Sequence, residues 1–247
     1  SFESYLRITS FLYEEEAIDQ DPFLQNNRSS IHLDGKVLSL GENQVLSETQ
    51  LMVWHLDDEG QRLNQVTEIT TDIDGHFSID DLSEGQTYEL QPILDDPTAP
   101  KVRYFTPTLN RSHPLFYLRT FPGEGSIASL LVRQIPVDEE EVVLVIFNAH
   151  RAFLSGVDTL KINGEELLSE EVASADDTSI ALFVFDVNQD DEPGGTLPLF
   201  ESFPFLSVID FPLTPSPTES MSLEYNGQTL ILPRSPSSDG TLIVVFP

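Results

Sequence analysis

The stretch that most constrains this chain is 71–90, TDIDGHFSIDDLSEGQTYEL. Asp74-Gly75 offers a turn in which glycine takes positive φ without a Cβ clash. Beyond it, Phe77 and Ile79 alternate with His76, Ser78 and Asp80, the period of a strand with one buried and one wet face. Leu82 plugs the end of the apolar run and Glu84-Gly85 turns the chain again. Tyr88 and Leu90 then lie on one side of a returning strand. Turn, strand, turn and strand in so short a space predict a small β-sandwich.

The flanking segments agree. Residues 31–40 predict a strand with Ile31, Leu33, Val37 and Leu40 as its apolar positions and a turn at Asp34-Gly35. Residues 51–56 (LMVWHL) form a dense apolar strand carrying the only tryptophan, Trp54. Residues 57–60 close a turn, and 66–71 are rich in β-branched residues. Segments 102–105 and 115–118 read as further strands.

Taken together, the Thr-Asp pair, the Asp-Gly turn, the alternating Phe strand, the Leu, the Gly turn and the Tyr strand resemble the carboxypeptidase regulatory-like domains. Leu33-Asp34-Gly35-Lys36-Val37 is similar to the opening strand of that family, and 50–54 to the edge strand that follows. The resemblance covers about residues 31–106. It implies a transthyretin-like, seven-stranded sandwich and no shared catalytic residues. The loop 41–47 and the segment after Leu94 are longer than the simplest pattern of that family.

A second organising feature lies in the other half. DTLKINGEELL from Asp158 and MSLEYNGQTLI from Met221 each set Asn-Gly between alternating strands, the strongest short hairpin signal. Asn226 follows Asn163 by 63 residues, and the same offset superposes Leu160 on Leu223, Asp176 on Asp239, Thr178 on Thr241 and Phe183 on Phe246. The expected organisation is therefore an N-terminal extension (1–30), a regulatory-like sandwich (31–120) and a second antiparallel β-sandwich (121–247). Within the last, about 142–187 repeats as about 205–247. The whole is all-β with very little helix. The one stretch of helical composition is 165–175, expected as a short helix or a loop turn, and 121–125 reads as a hinge.

Charge narrows the function. Twelve Lys and Arg face 42 Asp and Glu, a formal net of −30, which repels phosphate backbones and anionic lipid alike. No apolar run is long enough to span a membrane. The absence of cysteine favours a bacterial over a eukaryotic exported protein. If exported, the chain would be preceded by a signal or lipid anchor, because residues 1–10 lack that pattern. Lys101, Arg103, Arg111, Arg119 and Arg133 concentrate positive charge near the middle. They are expected to pair with carboxylates across a domain junction, a dedicated anion site being the alternative.

Asp186, Asn188 and Asp190 place oxygen ligands at alternate positions, as a calcium loop does. Asp191 stands where that loop needs glycine and Leu197 where it needs glutamate, so the alternatives are a calcium site completed by backbone carbonyls or a solvated acidic loop tip. No other cofactor is expected. The five histidines have no metal-ligand spacing and Gly123-Glu124-Gly125-Ser126 misses the nucleophile elbow. Aromatic side chains are expected mostly in the core, with Trp54 the exception to examine. The expected function is that of a non-catalytic, exported or cell-surface bacterial module for binding, adhesion or scaffolding. Its partner would be a protein or carbohydrate at the cell surface. The alternatives are a carbohydrate-binding accessory protein and a hydrolase whose site converges only in three dimensions.

Overall fold

The computed structural model describes residues 30–95, 99–122, 127–174, 178–201 and 205–246. The N-terminal extension up to residue 29 and most of the 121–125 hinge lie outside them. The first half contributes seven strands: β1 (Ser30–Ser39), β2 (Gln50–Leu56), β3 (Arg62–Thr70), β4 (His76–Ser83), β5 (Tyr88–Ile93), β6 (Val102–Phe105) and β7 (His113–Thr120). After a short helix α1 (Ile127–Val132) come β8 (Leu144–Asn148), β9 (Leu160–Ile162), β10 (Glu165–Glu166) and β11 (Ser179–Phe185). Helix α2 (Pro198–Glu201) precedes β12 (Phe205–Asp210), β13 (Ser216–Tyr225), β14 (Gln228–Arg234) and β15 (Thr241–Phe246). The chain is all-β, as its alternating patterns require.

These strands form three sheets. An eight-stranded sheet in the order β12-β11-β8-β15-β6-β5-β2-β3 runs through both halves. A three-stranded sheet, β4-β1-β7, and a four-stranded sheet, β10-β9-β13-β14, complete the fold. The stretch 71–90 is where the chain changes layer: β3 and β5 belong to the long sheet and β4 to the small one. Asp72 makes that change, its Oδ1 accepting the amides of Asp74 (2.8 Å) and His76 (2.9 Å).

Two apolar clusters organise the layers. One gathers Ile31, Leu33, Phe77 and Ile79 of the three-stranded sheet with Leu51, Val53, Leu90 and Tyr104, and continues into the second half through Val145, Phe183, Phe185 and Ile243. The other gathers Leu160, Ile162, Leu223, Leu230 and Leu232 of the four-stranded sheet with Phe105, Leu144, Ile146, Leu182, Leu242, Val244 and Phe246. Alternate residues of β8, β11 and β15 feed different clusters, so these strands are buried on both faces. That explains their unbroken apolar runs, LVIF, ALFVF and LIVVF.

The last strand joins the halves. Thr241–Phe246 lies between β6 of the first half and β8 of the second, parallel to both, with Val244 opposite Phe105 on one side and Ile146 on the other. The second sandwich is consequently mixed rather than purely antiparallel: β11 and β12 also run parallel. Parallel neighbours need long crossovers: β11 reaches β12 through the segment that carries α2, whereas the hairpin of the first repeat links the antiparallel neighbours β8 and β11.

The internal repeat reappears as an interlock. Lys161 of β9 pairs with Glu224 of β13, its own equivalent, so the two hairpins meet about a local two-fold axis. Asn163 Oδ1 accepts the Ser222 amide at 3.0 Å and Asn226 Oδ1 the Thr159 amide at 2.9 Å, again equivalent pairs. Both turns take positive φ, 51° and 86° at Asn163-Gly164 and 49° and 81° at Asn226-Gly227, the type I′ pattern that the dipeptide predicts. Each repeat's opening strand lies beside the closing strand of the other, β8 with β15 and β12 with β11. Buried Asp158 ties the hairpins down. It accepts from Arg151 (2.5 and 2.6 Å), the Leu154 amide (2.9 Å) and Asn226 Nδ2 (2.9 Å), and the Arg151 contact holds its carboxyl well below the usual range.

Two local expectations are corrected and a third is resolved in favour of its loop-turn alternative. Asp34-Gly35 is no turn but the middle of β1, with a register shift against β7 between Leu33 and Gly35. Glycine stands there because of close approach: a Cβ would lie 1.7 Å from the Phe116 carbonyl oxygen and 2.7 Å from the Phe77 ring. Gly35→Ala is therefore expected to destabilise the protein by about 2–4 kcal/mol, read as a lower urea midpoint; an unchanged midpoint would contradict the placement of β7. Residues 50–54 are not an edge, since β3 pairs outside them. The described part of 165–175 is the strand stub β10 followed by turns, because Glu165 and Glu166 pair back onto Ile162 and Lys161 rather than coil.

Candidate functional site

The polar feature that most stands out lies on the long sheet's face opposite the first core. Strand alternation puts Trp54 of β2, Glu89 and Gln91 of β5 and Arg103 of β6 on that face, because Val53, Tyr88, Leu90, Val102 and Tyr104 point the other way into the core. Glu89 is wholly buried. Arg62 donates to it from Nε (3.0 Å) and Nη2 (2.5 Å), and Arg103 from Nε (2.7 Å) and Nη2 (2.9 Å). Burial alone would push the Glu89 carboxyl up; hydrogen bonds and charges from Arg103 and Arg62 outweigh it and hold the group below its ordinary value. The Arg62 guanidinium also lies over the Trp54 ring, 4.8 Å from its centroid, in cation–π contact. Trp54 is thus half-buried beneath an arginine and outside both cores.

Arg103 carries the clamp into the second half, donating from Nη1 to Ser235 Oγ at 2.6 Å. Beside it opens a cleft of about 650 Å³ bordered by Gln61, Arg62, Gln91, Lys101, Arg103 and Ser235. Its apolar wall is Pro92, Ile93 and Leu94, and Asp239 stands at its margin. Three of the twelve cationic residues of a chain with net charge −30 therefore meet at one hollow. Chemically the hollow offers N–H donors and a modest positive potential, suited to holding an anionic or hydroxyl-rich group.

Of the basic residues expected at a junction, Arg103 alone reaches this cleft with Lys101. Arg119 stacks near Tyr117 (5.8 Å) on the three-stranded sheet. Sequence reasoning missed Arg62 and Glu89. Their only local signal is a charged residue between Tyr88 and Leu90, which reads equally well as a solvated position.

A second polar centre gathers the predicted metal residues. Asp186, Asn188 and Asp190 share one loop after β11, and the two aspartate carboxylates shape it. Asp186 accepts the amides of Asp190 (3.3 Å) and Asp191 (2.8 Å), while Asp190 accepts the Glu192 amide (2.9 Å) and Asn188 Nδ2 (2.9 Å). Asp210, at the end of β12, accepts the Val187 amide at 2.7 Å and that of Gly195. Among the described residues no group of three or more His, Asp or Glu side chains is arranged to hold a metal. Each Asp186 oxygen accepts one amide and keeps a further lone pair, so these loop hydrogen bonds do not by themselves occupy a cation's positions.

Glu141 is the member that the sequence did not single out. It is 5% exposed; one carboxyl oxygen accepts the Asp186 amide and the other is buried with no hydrogen-bond partner among the described residues. Burial, with the carboxylates of Asp138, Asp186 and Asp210 nearby, pushes its pKa up to about 7. A carboxyl raised in the folded state stabilises the fold fully below its ordinary value near 4.5. That contribution is lost as pH climbs through about 7. The loss is at most about 3 kcal/mol and ~1–2 after solvent screening. Glu141→Gln should remove this component, so the stability difference between pH 5 and pH 8, measured by urea unfolding, shrinks in the variant. An identical pH profile in both proteins would refute it.

Residues 29–123 match the family model of the lipase C-terminal domain, a β-sandwich, over well under half the chain. A search of curated proteins finds no match. Among solved structures, the chain is similar to the dioxygenase domain of a dioxygenase carbohydrate-binding protein fusion from Streptomyces sp. SirexAA-E (12% identity, TM-score 0.28), with 40% of this chain and 84% of that one covered. It is similar to the shaft pilin SpaA of Lactobacillus rhamnosus GG (8% identity, TM-score 0.30), covering 87% and 96%. A DUF3823 family protein of Parabacteroides merdae ATCC 43184 (13% identity, TM-score 0.28) is covered to 98%, by 84% of this chain. The β-sandwich character rests on the sheets themselves and on the family match over 29–123.

Proposed function

We propose that the chain is a non-catalytic, exported module of a bacterial cell surface that serves binding, adhesion or scaffolding. Its first half would be a carboxypeptidase regulatory-like sandwich. The observation that carries the reading is the eight-stranded sheet shared by both halves. A strand locked between β6 and β8 makes the two sandwiches one stiff body, a construction suited to holding a partner at a fixed place rather than to opening and closing. Seven strands in a four-plus-three arrangement support the regulatory-like reading. The acidic surface suits solubility outside the cell. Antibody labelling of intact and permeabilised cells tests the location: equal labelling of both supports it, and labelling only after permeabilisation would overturn it.

One observation favours a more specific role in carbohydrate binding: Trp54 lies under Arg62 beside an open, donor-lined cleft.

A further inference from the structure

We propose that the cleft beside the Glu89 clamp binds a sugar carboxylate, that of a uronic acid residue. The assignment rests on the binding reading above but not on its cell-surface part.

The cleft is bordered by donors that the clamp does not use up. Arg62 commits Nε and Nη2 to Glu89 and Gln91, which leaves Nη1 outside that network. Gln91 borders the cleft and accepts through Oε1, which leaves its amide NH2 as a donor outside that bond. Among the described residues Lys101 donates to the Ser238 carbonyl at 3.3 Å, and an ammonium has three donors to give. Among the described residues that border the cleft or clamp its arginines, Arg62, Lys101 and Arg103 against Glu89 and Asp239 leave a balance of one positive charge. That balance matches a single carboxylate.

The rest of the molecule decides which carboxylate. A net charge of −30 repels a dense polyanion, so phosphate chains are disfavoured and an isolated carboxylate on a largely neutral ligand is preferred. Exposed Ile93 and half-buried Leu94 offer an apolar margin against which the C–H face of a sugar ring can lie, while Gln61, Gln91 and Ser235 suit hydroxyl groups. A cleft of about 650 Å³ is in the range for one or two sugar rings. An acidic peptide would also bring backbone amides, which a hollow rich in donors and poor in acceptors leaves unpaired.

The only tryptophan reports on the site, because the guanidinium that borders the cleft covers its ring. The test titrates the full chain with D-galacturonic acid, D-galactose and N-acetyl-aspartate amide, following Trp54 emission and binding heat. Galacturonate should bind saturably with a Kd of about 1 mM and galactose about tenfold more weakly or not at all. Lys101→Gln, an exposed change outside the clamp, should weaken galacturonate about fivefold with the melting temperature unchanged. Equal binding of galactose would overturn the carboxylate and leave a neutral-sugar site. Equal binding of N-acetyl-aspartate amide would overturn the sugar. No galacturonate binding at about 50 mM, or unaltered affinity in the Lys101 variant, would overturn the site itself.

Discussion

Val244→Asp should unfold both halves of the protein together. Val244 is fully buried in the strand that β6 and β8 share, and its side chain packs in the second apolar cluster. Losing its burial removes about 1.5–3 kcal/mol. Placing an unpaired carboxylate among Phe105, Ile146 and Leu242 adds a desolvation cost of several kcal/mol. The sum approaches the whole stability of an ordinary domain, about 5–15 kcal/mol. The damage should not stay in the second half, because β15 is the direct hydrogen-bonded neighbour of β6. Trp54 lies three strands away from β15 in the same sheet, yet its emission should shift to that of solvent-exposed indole. Retained native Trp54 emission beside a melted second half would show that the first sandwich stands alone.

Glu89→Ala is the second large expected effect. The wild-type carboxylate accepts four hydrogen bonds from two arginines and is wholly inaccessible. Removing one partner of a buried ion pair costs about 3–5 kcal/mol, because the remaining charge is left uncompensated. Here two guanidiniums would be left facing one another. Arg103 would also lose the anchor that aims it at Ser235, so contact between the halves would loosen at that corner. Denaturant unfolding measures the loss; a change under ~1 kcal/mol would mean the clamp behaves as a surface pair. Because the arginines hold the Glu89 carboxyl below its ordinary value, the stability it lends is present above that value and falls away in acid.

How much of this was legible in the sequence depends on whether a signal was local. The turns at Asp74-Gly75, Asn163-Gly164 and Asn226-Gly227 were legible, because positive φ leaves a mark on residue choice. So was the 63-residue repeat, now seen as equivalent residues pairing across a two-fold axis. Gly35 was misread because a glycine needed for close approach by Phe116 looks the same as one needed for a turn. The insertion of β15 was out of reach: LIVVF announces burial on both faces, but names neither β6 nor β8 as neighbours. The candidate site was less legible still. Arg62, Glu89 and Arg103 are separated along the chain, and only the sheet order β6-β5-β2-β3 brings them to one face. Glu141 likewise precedes its strand as one acid among Glu139, Glu140 and Asp138, and nothing local marks it as the buried one.

The shared sheet is the claim on which the reading of this molecule stands, and segment-resolved hydrogen exchange of the wild-type protein in rising urea tests it most directly. The strands to compare are β2 and β5 on one side of β15 and β8 and β11 on the other. Exchange in both groups should give the same opening free energy and the same denaturant slope, as one cooperative unit does. Opening of β8 and β11 at a clearly lower urea concentration, with β2 and β5 still protected, would contradict it.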